Sequence, residues 1–335
     1  MAKGQRKVAS DKSAIVAALP RACQDETGAV EFFEEQRWGS QPRCAHCESV
    51  DVYQMRDRKT GERNKRYLWR CKACNRQYTV RVNTVYGDSP IPLRVWAYAF
   101  WAACSSKKGI SALQIRRQTG VTYKSALFLM HRIRLAMDEF ASIELASDDS
   151  PGFDGIVEAD ETYVGGKEKN KPLGKRNPRN LGGKGKTAVF SMVQRDGKMR
   201  SVVMDKVTLH NLRTALVENV SPQARVMTDS LNLYGFVTDP FASHETVDHT
   251  KEEYVRGDVH TNTVESSFSL LKRGIYGTFH NVSKRHLHRY CAEFDFRWNN
   301  RKVDDGERTV RAIRSGVGKR LMYRQPVMSD GQGKN

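Results

Sequence analysis

The sequence has 335 residues, 39% of them apolar, which is enough for a sizeable core and for two or three domains. Lys and Arg number 56 against 38 Asp and Glu, a formal net charge of +18, which favours polyanionic partners, nucleic acid first and an anionic membrane surface second. No stretch approaches the roughly 18 apolar residues of a membrane span, and the first ten residues, MAKGQRKVAS, lack the apolar core of a signal peptide, so a soluble, cytoplasmic protein is expected.

Residues 1–20 are polar and basic and are expected to fray. Ala29–Gln36 (AVEFFEEQ) reads as a short helix with Val30, Phe32 and Phe33 on its apolar side. Four of the seven cysteines then fall as Cys44-x-x-Cys47 and Cys71-x-x-Cys74. Strand-like pieces lie between and after the pairs, at Asp51–Met55, Tyr67–Arg70 and Gln77–Val82. Two knuckles on β-hairpins present four thiolates in a closed tetrahedral shell, which suits a structural Zn²⁺ with no open position. A redox pair or four unlinked core thiols are the blander readings. With four Cys available, His46 reads as a bystander. The metal would supply folding energy to a segment too small to fold alone. Cys23, Cys104 and Cys291 read as buried small hydrophobes.

Residues 90–137 read as helices. Pro92 starts one over LRVWAYAFWAACSS, Gly109 ends that unit, and Ser111–Thr119 forms a second. Gly120-Val121 is a tight turn, and Thr122 caps a third helix, YKSALFLMHRIRLAM. A helix, a short Gly-containing turn and a longer basic helix make a helix-turn-helix pattern, whose second helix enters the major groove by its N-terminal residues. Here those are Thr122, Tyr123, Lys124 and Ser125; an ordinary three-helix packing unit is the alternative. Ala141–Gly155 reads as a linker.

A second half starts at Ile156 with GIVEADETYVGG, a strand running into a turn, with Asp160 at the strand's end. The insert from Gly165 to Lys186 has eight basic residues, one acidic residue, six glycines and two prolines. It reads as a flexible loop whose one-sided charge (Lys167, Lys169, Lys175, Arg176, Arg179 and Lys184 among others) suits phosphate contact. Strands over Thr187–Gln194 and Met199–Val207 flank a tight turn at Asp196-Gly197. Thr208 caps a helix, ARVMTD is a buried strand ending at Asp229, Leu231–Phe236 a short helix, and Glu245–His249 a short strand. Lys284–Asn299 reads as a long helix, and the tail after Gly306 as basic and helical to about Tyr323. This order predicts a mixed sheet flanked by helices, in an α+β or α/β multidomain chain.

The acids carry the chemistry. Asp160 and Asp229 each end a largely apolar run, and Glu265 precedes Lys272 by seven residues, two helical turns, so those two share a helix face. Strand ends in such sheets gather ligands, so three distant acids are expected to converge there on divalent metal. Glu158 shares a strand face with Asp160 and stays in contention. Asp229 as a helix N-cap, Asn262 with Glu265 as a capping-box-like pair, and Lys272 as a surface lysine are the bland readings.

Taken with CAHC and CKAC, the stretches EADETYVGGKEKNK, TDSLNLY, HTNTVESSFSLLKRGIYGTFH and SKRHLHRYCAEFDFRWNNR resemble the DDE transposases, closely the zinc-ribbon-bearing, ISXO-like insertion-sequence group of bacteria, over about residues 25–315. The resemblance implies an RNase H-like catalytic domain with Asp160, Asp229 and Glu265 as its metal-binding triad, and Lys272, beside Arg273, as a DNA contact. It also implies boundaries: a zinc ribbon with its preceding helix over 25–85, a helix-turn-helix-like DNA-binding segment over 90–140, the catalytic domain over 155–300 and a basic tail over 301–335.

The expected chemistry is two-metal phosphodiester cleavage with Mg²⁺ or Mn²⁺, Asp160 bridging the ions and Asp229 and Glu265 each holding one. A nick frees a 3′-hydroxyl at the element's end, and that hydroxyl then attacks target DNA. The expected partners are the element's terminal inverted repeats, target DNA and further copies of the chain in a synaptic complex. A DNA-binding regulator with an inert C-terminal half, and a nuclease or resolvase that cuts without joining, are the rival readings.

Overall fold

The computed structural model describes residues 13–140, 152–166, 168–177, 185–229, 240–248, 251 and 253–322. Its first helix, α1 (Ser13–Gln24), corrects the expectation of fraying to residue 20: Leu19 and Ala22 are buried. Helix α2 (Glu26–Trp38) is longer than the expected Ala29–Gln36, because Asp25 caps it by accepting from the Gly28 N–H. Glu26 then caps a second helix at a distance. Its carboxylate accepts from the N–H groups of Leu93 and Arg94, the first residues of α3 (Leu93–Ser105).

The cysteine module is a three-stranded antiparallel sheet, β1 (Val52–Gln54), β2 (Trp69–Cys71) and β3 (Gln77–Tyr78), in the order β1-β2-β3. Its strands are shorter than expected. The third stops at Tyr78 rather than Val82 because the Arg37 guanidinium takes the carbonyls of Val80 and Val82 out of any ladder.

Helix α4 (Ala112–Thr119) ends at Gly120, whose φ of +75° turns the chain in a conformation costly for other residues. Helix α5 (Tyr123–Met137) follows, with Thr122 capping it by accepting from the Ser125 N–H. The helix-turn-helix shape is therefore present. Its core includes Phe33, Trp96, Phe100, Ile115, Leu129 and Ile133. Val310 and Ile313 of α9 (Asp305–Arg314) complete it. The start of the expected basic tail is thus a core helix of the N-terminal half; residues beyond 322 lie outside the description.

The second half is a five-stranded mixed sheet in the order β6-β5-β4-β7-β8, where β4 is Ile156–Val164, β5 Thr187–Gln194, β6 Met199–Met204, β7 Arg225–Asp229 and β8 Ser243–Val247. The first three strands pair antiparallel; β7 and β8 run parallel to β4. Strand alternation divides the sheet into two apolar faces. Val157, Ala159 and Phe190 pack with Leu212 and Leu216 of α6 (Leu209–Val217). On the opposite face Val164 and Val189 pack with Leu271 of α7 (Asn262–Gly274) and Leu287 and Phe294 of α8 (Leu287–Asn299). Gly274 lets α7 and α8 cross closely, since a Cβ there would sit 2.1 Å from Phe294 Cζ. The expected helix over Leu231–Phe236 lies outside the described residues, as does most of the linker Ala141–Gly155.

Candidate active site

Asp160 does not end its strand. It is the fifth residue of β4, which runs on to Val164 because β5 pairs with it from Val157 onward, Asp160 opposite Ser191. The expected strand end belongs instead to the other neighbour. Pairing of β4 with β7 covers Ile156 to Glu158, with Glu158 opposite Met227. Two residues further along both parallel strands, Asp160 comes level with Asp229, the last residue of β7. Side chains level in register on neighbouring strands share a face. Glu265 approaches from the first turn of α7, where its Oε1 accepts from Thr261 Oγ1 at 3.4 Å.

The charges register this convergence. Burial, then Asp229, with smaller contributions from Glu161 and Glu265, pushes the Asp160 carboxyl up to about 8, against a Glu161 N–H donating to its Oδ1 at 2.7 Å. An all-carboxylate donor set under such repulsion fits a hard divalent cation, Mg²⁺ or Mn²⁺. Asp160 feels the other two carboxylates, yet the three do not close to ligand spacing; among the described residues, the cysteines form the group of potential ligands that lie within 4.8 Å of each other.

Glu158, the rival acid, has another occupation. It is fully buried and accepts from Thr263 N–H (2.7 Å), Thr263 Oγ1 (2.8 Å) and Val264 N–H (3.1 Å), while Arg195 Nε donates to it at 2.7 Å. It is therefore the cap of α7, supplied from β4; the N-cap residue is Thr261, which makes no side-chain cap, and Asn262 is already the first residue of the helix. This bond holds the helix of Glu265 against the strand of Asp160. Arg195 completes the joint by donating to the carbonyls of Asp258 (2.7 Å) and His260 (3.1 Å). The sequence offered no signal for Arg195, since an arginine entering a hairpin turn reads as solvated. Glu158→Ala is expected to cost about 3–5 kcal/mol, because it strands a largely buried guanidinium and two helix N–H groups. Urea unfolding checks this; an unchanged midpoint would remove Glu158 from the joint.

The DNA-facing candidates are scattered around this centre. Lys272, two turns along α7 from Glu265, is half-buried, and Arg273 is exposed with its Nε on the Ser269 carbonyl. Thr122 is spent on capping α5, leaving Tyr123 and Lys124 exposed at its first turn. Part of the Gly165–Lys186 insert is ordered: short turns at Glu168–Asn170 and Leu173–Lys175 are tied by Glu168, which pairs with Lys171 and accepts from the Asn177 N–H. Lys169 lies in the first turn, and Arg176 donates to the Lys171 carbonyl. Lys167, Arg179 and Lys184 fall outside the described residues, as does the side chain of Lys175.

The cysteine site is formed. Cys44 and Cys74 Sγ are 3.7 Å apart, as are Cys47 and Cys71. A tetrahedral Zn²⁺ with Zn–S bonds of about 2.3 Å requires S···S edges of about 3.8 Å. Cys74 N–H, donating to Cys71 Sγ, draws that thiol down to about 7, toward the thiolate a metal needs. His46 packs edge-on against Tyr78 and stays outside the cluster.

Comparison with known proteins agrees with this division. Residues 24–77 match the transposase zinc-ribbon domain, and residues 152–299 match the ISXO2-like transposase domain, together more than half of the chain. A protein described as an uncharacterized protein in transposable element ISH50, from Halobacterium salinarum, is 29% identical over 282 residues, 81% of this chain and 90% of that one. No described helix is long and apolar enough to cross a membrane. With a four-cysteine ribbon ahead of a mixed-sheet transposase domain, the chain belongs to the zinc-ribbon-bearing, ISXO2-like transposases.

Proposed function

We propose that this transposase cuts the ends of its element and joins the freed 3′ ends to target DNA, with Asp160, Asp229 and Glu265 holding Mg²⁺ or Mn²⁺. The observation that carries the reading is the convergence of three carboxylates from β4, β7 and α7, where burial, then Asp229 and to a smaller extent Glu265, push Asp160 up to about 8. When bound, a pair of divalent ions activates the attacking oxygen and stabilises the leaving one. The protein's part is positional. Glu158 and Arg195 hold α7 on β4 so that Glu265 meets the two aspartates. Lys272 offers a positive charge to a phosphate along the same helix, as a DNA contact and not as a base. Water attacks first and the 3′-hydroxyl second, so no side chain of the protein becomes bonded to DNA.

The other units bring DNA to this centre. Residues 25–85 form the ribbon, with Zn²⁺ on Cys44, Cys47, Cys71 and Cys74; residues 90–140 present Tyr123 and Lys124 to the terminal repeats. The insert carrying Lys169 and Arg176 contributes phosphate contacts beside the site. Two element ends must be cut and joined together, which calls for a homo-oligomeric synaptic complex in the cytoplasm.

A strand-transfer assay tests the reading. Labelled end DNA is incubated with the zinc-loaded protein, a target plasmid and Mg²⁺ or Mn²⁺. Joined product is expected, and only with divalent metal. Cleaved ends without joined product would make the chain a nuclease, and metal-independent product would remove the carboxylate site.

A further inference from the structure

A cavity of about 1100 Å³ lies between α5 and the start of α8, and none of the three carboxylates lines it. Lys124 and His131 line it from α5, Arg285, His286 and Arg289 from the α8 side, and Arg320 from the segment after α9. Every charged side chain in its lining is basic. Arg320 is engaged with Asp88 at 2.7 Å, whereas Arg285 projects into solvent at the mouth.

Its floor is unusual for a solvated basic patch. His131 is 6% exposed, yet its Nδ1 has no hydrogen-bond partner, and the same holds for Nδ1 of His286. The two rings lie against each other at a tilt of 44°, with centroids 4.7 Å apart. Burial, then Arg134 and Arg289, drives His131 down to about 3, and burial, then Arg289, also lowers His286, so the pair is neutral at pH 7. An unpartnered imidazole nitrogen under a rim of cations can donate, in its Nδ1–H tautomer, to an oxygen of an oxyanion. Surrounding structure holds the walls fixed. Arg134 of α5 and Arg297 of α8 both grip the fully buried Glu293, at 2.5 and 2.6 Å.

We infer that this cleft clamps the phosphodiester backbone of the DNA that α5 engages, fastening that DNA to the helical layer behind the catalytic carboxylates. The occupant follows from position. Lys124 lies in the first turn of α5, and a second opening of about 390 Å³, lined by Tyr123 and Arg117, shares His131 and His286 with the first. Backbone on either side of that turn thus meets basic walls. The other wall of the main cleft is α8, which packs with α7, the helix of Glu265. The inference rests on the proposed DNA chemistry only in taking DNA as the ligand.

The test is binding by fluorescence anisotropy. The full zinc-loaded chain is titrated into a labelled 30-base-pair element-end duplex with no added Mg²⁺ or Mn²⁺, across a salt series. Arg285→Gln with Arg289→Gln is expected to lower the slope of log K against log salt by about 2, and affinity at 0.1 M salt by roughly tenfold to a hundredfold. Arg285→Lys with Arg289→Lys is expected to restore the slope, which a folding defect would not do. Lys206→Gln with Arg213→Gln, on the α6 side of the sheet, removes the same charge and should leave the slope near wild type. A wild-type slope in the first variant, or an equal loss in the α6-side variant, overturns the clamp. So does displacement of the duplex by millimolar inorganic phosphate at constant ionic strength, which would make the cleft a small-anion site. A normal slope loss in a protein that never joins DNA leaves the clamp standing and removes strand transfer. The reverse pairing removes only the clamp, and a wild type that binds no DNA removes both.

Discussion

Asp229→Asn is expected to abolish DNA cleavage and joining, by on the order of 10³-fold or more, while leaving the metal-free protein at least as stable as wild type. Both halves follow from one arrangement. Asp229 is the second cause, after burial, of the upward push on Asp160, so in the metal-free fold it opposes the ionisation of its neighbour. Asparagine keeps the shape and removes that repulsion. In the proposed site the same charge binds a divalent ion, and its loss would remove a ligand. Thermal melts with and without Mg²⁺ separate this from a general defect. Wild type should gain about 2.7 kcal/mol at a Mg²⁺ concentration a hundred times its Kd, and Asp229→Asn should gain little. Glu265→Gln should behave alike. A variant that keeps activity, or that is stabilised by Mg²⁺ as strongly as wild type, would take Asp229 out of the site.

Much of this centre could be read from residue order because its parts are local. The Cys-x-x-Cys pairs, the Gly120 turn with its Thr122 cap, and the apolar run into Asp229 each depend on a few consecutive residues. What escaped is set by pairing between distant segments. Asp160 read as a strand end because the polar residues after it look like a turn; β5 pairs with β4 from Val157 onward and carries the strand to Val164. Glu158 read as a spare ligand, since nothing near it in sequence shows that α7, more than a hundred residues on, arrives with two uncapped N–H groups. Helix α9 read as part of a basic tail because its surface is charged, yet Val310 and Ile313 form a narrow stripe that a core 200 residues upstream was waiting to bury. Arg195 and Glu293 follow the same rule. A buried ion pair is invisible until both partners are placed, as its two members look like ordinary surface charge.

Removing zinc is expected to unfold the ribbon while the helical core and the five-stranded sheet stay folded. The ribbon has little else to hold it. Its strands are three, three and two residues long, and its buried apolar cluster is Cys44, Trp69, Cys71 and Tyr78, half of it the ligands themselves. Structural Zn²⁺ in small modules is worth about 10–16 kcal/mol of binding free energy near neutral pH, more than such a cluster supplies. Contacts from α2 do not substitute for it. Glu34 accepts from Trp69 Nε1 and pairs with Arg63, and Arg37 holds Val80 and Val82, but these bonds need the hairpins already in place. Helix α2 is kept by Phe33 against Tyr86 and Phe100, which are independent of the metal. Chelation, or Cys71→Ser, should therefore confine new protease cleavage and loss of amide protection to about residues 43–79. The Mg²⁺-dependent rise in melting temperature of the sheet should persist in Cys71→Ser. A chain carrying far less than one zinc and still protected over 43–79 would refute the metal's role. Cleavage spreading into α2 and α3 would mean that the ribbon props the helical core instead of resting on it.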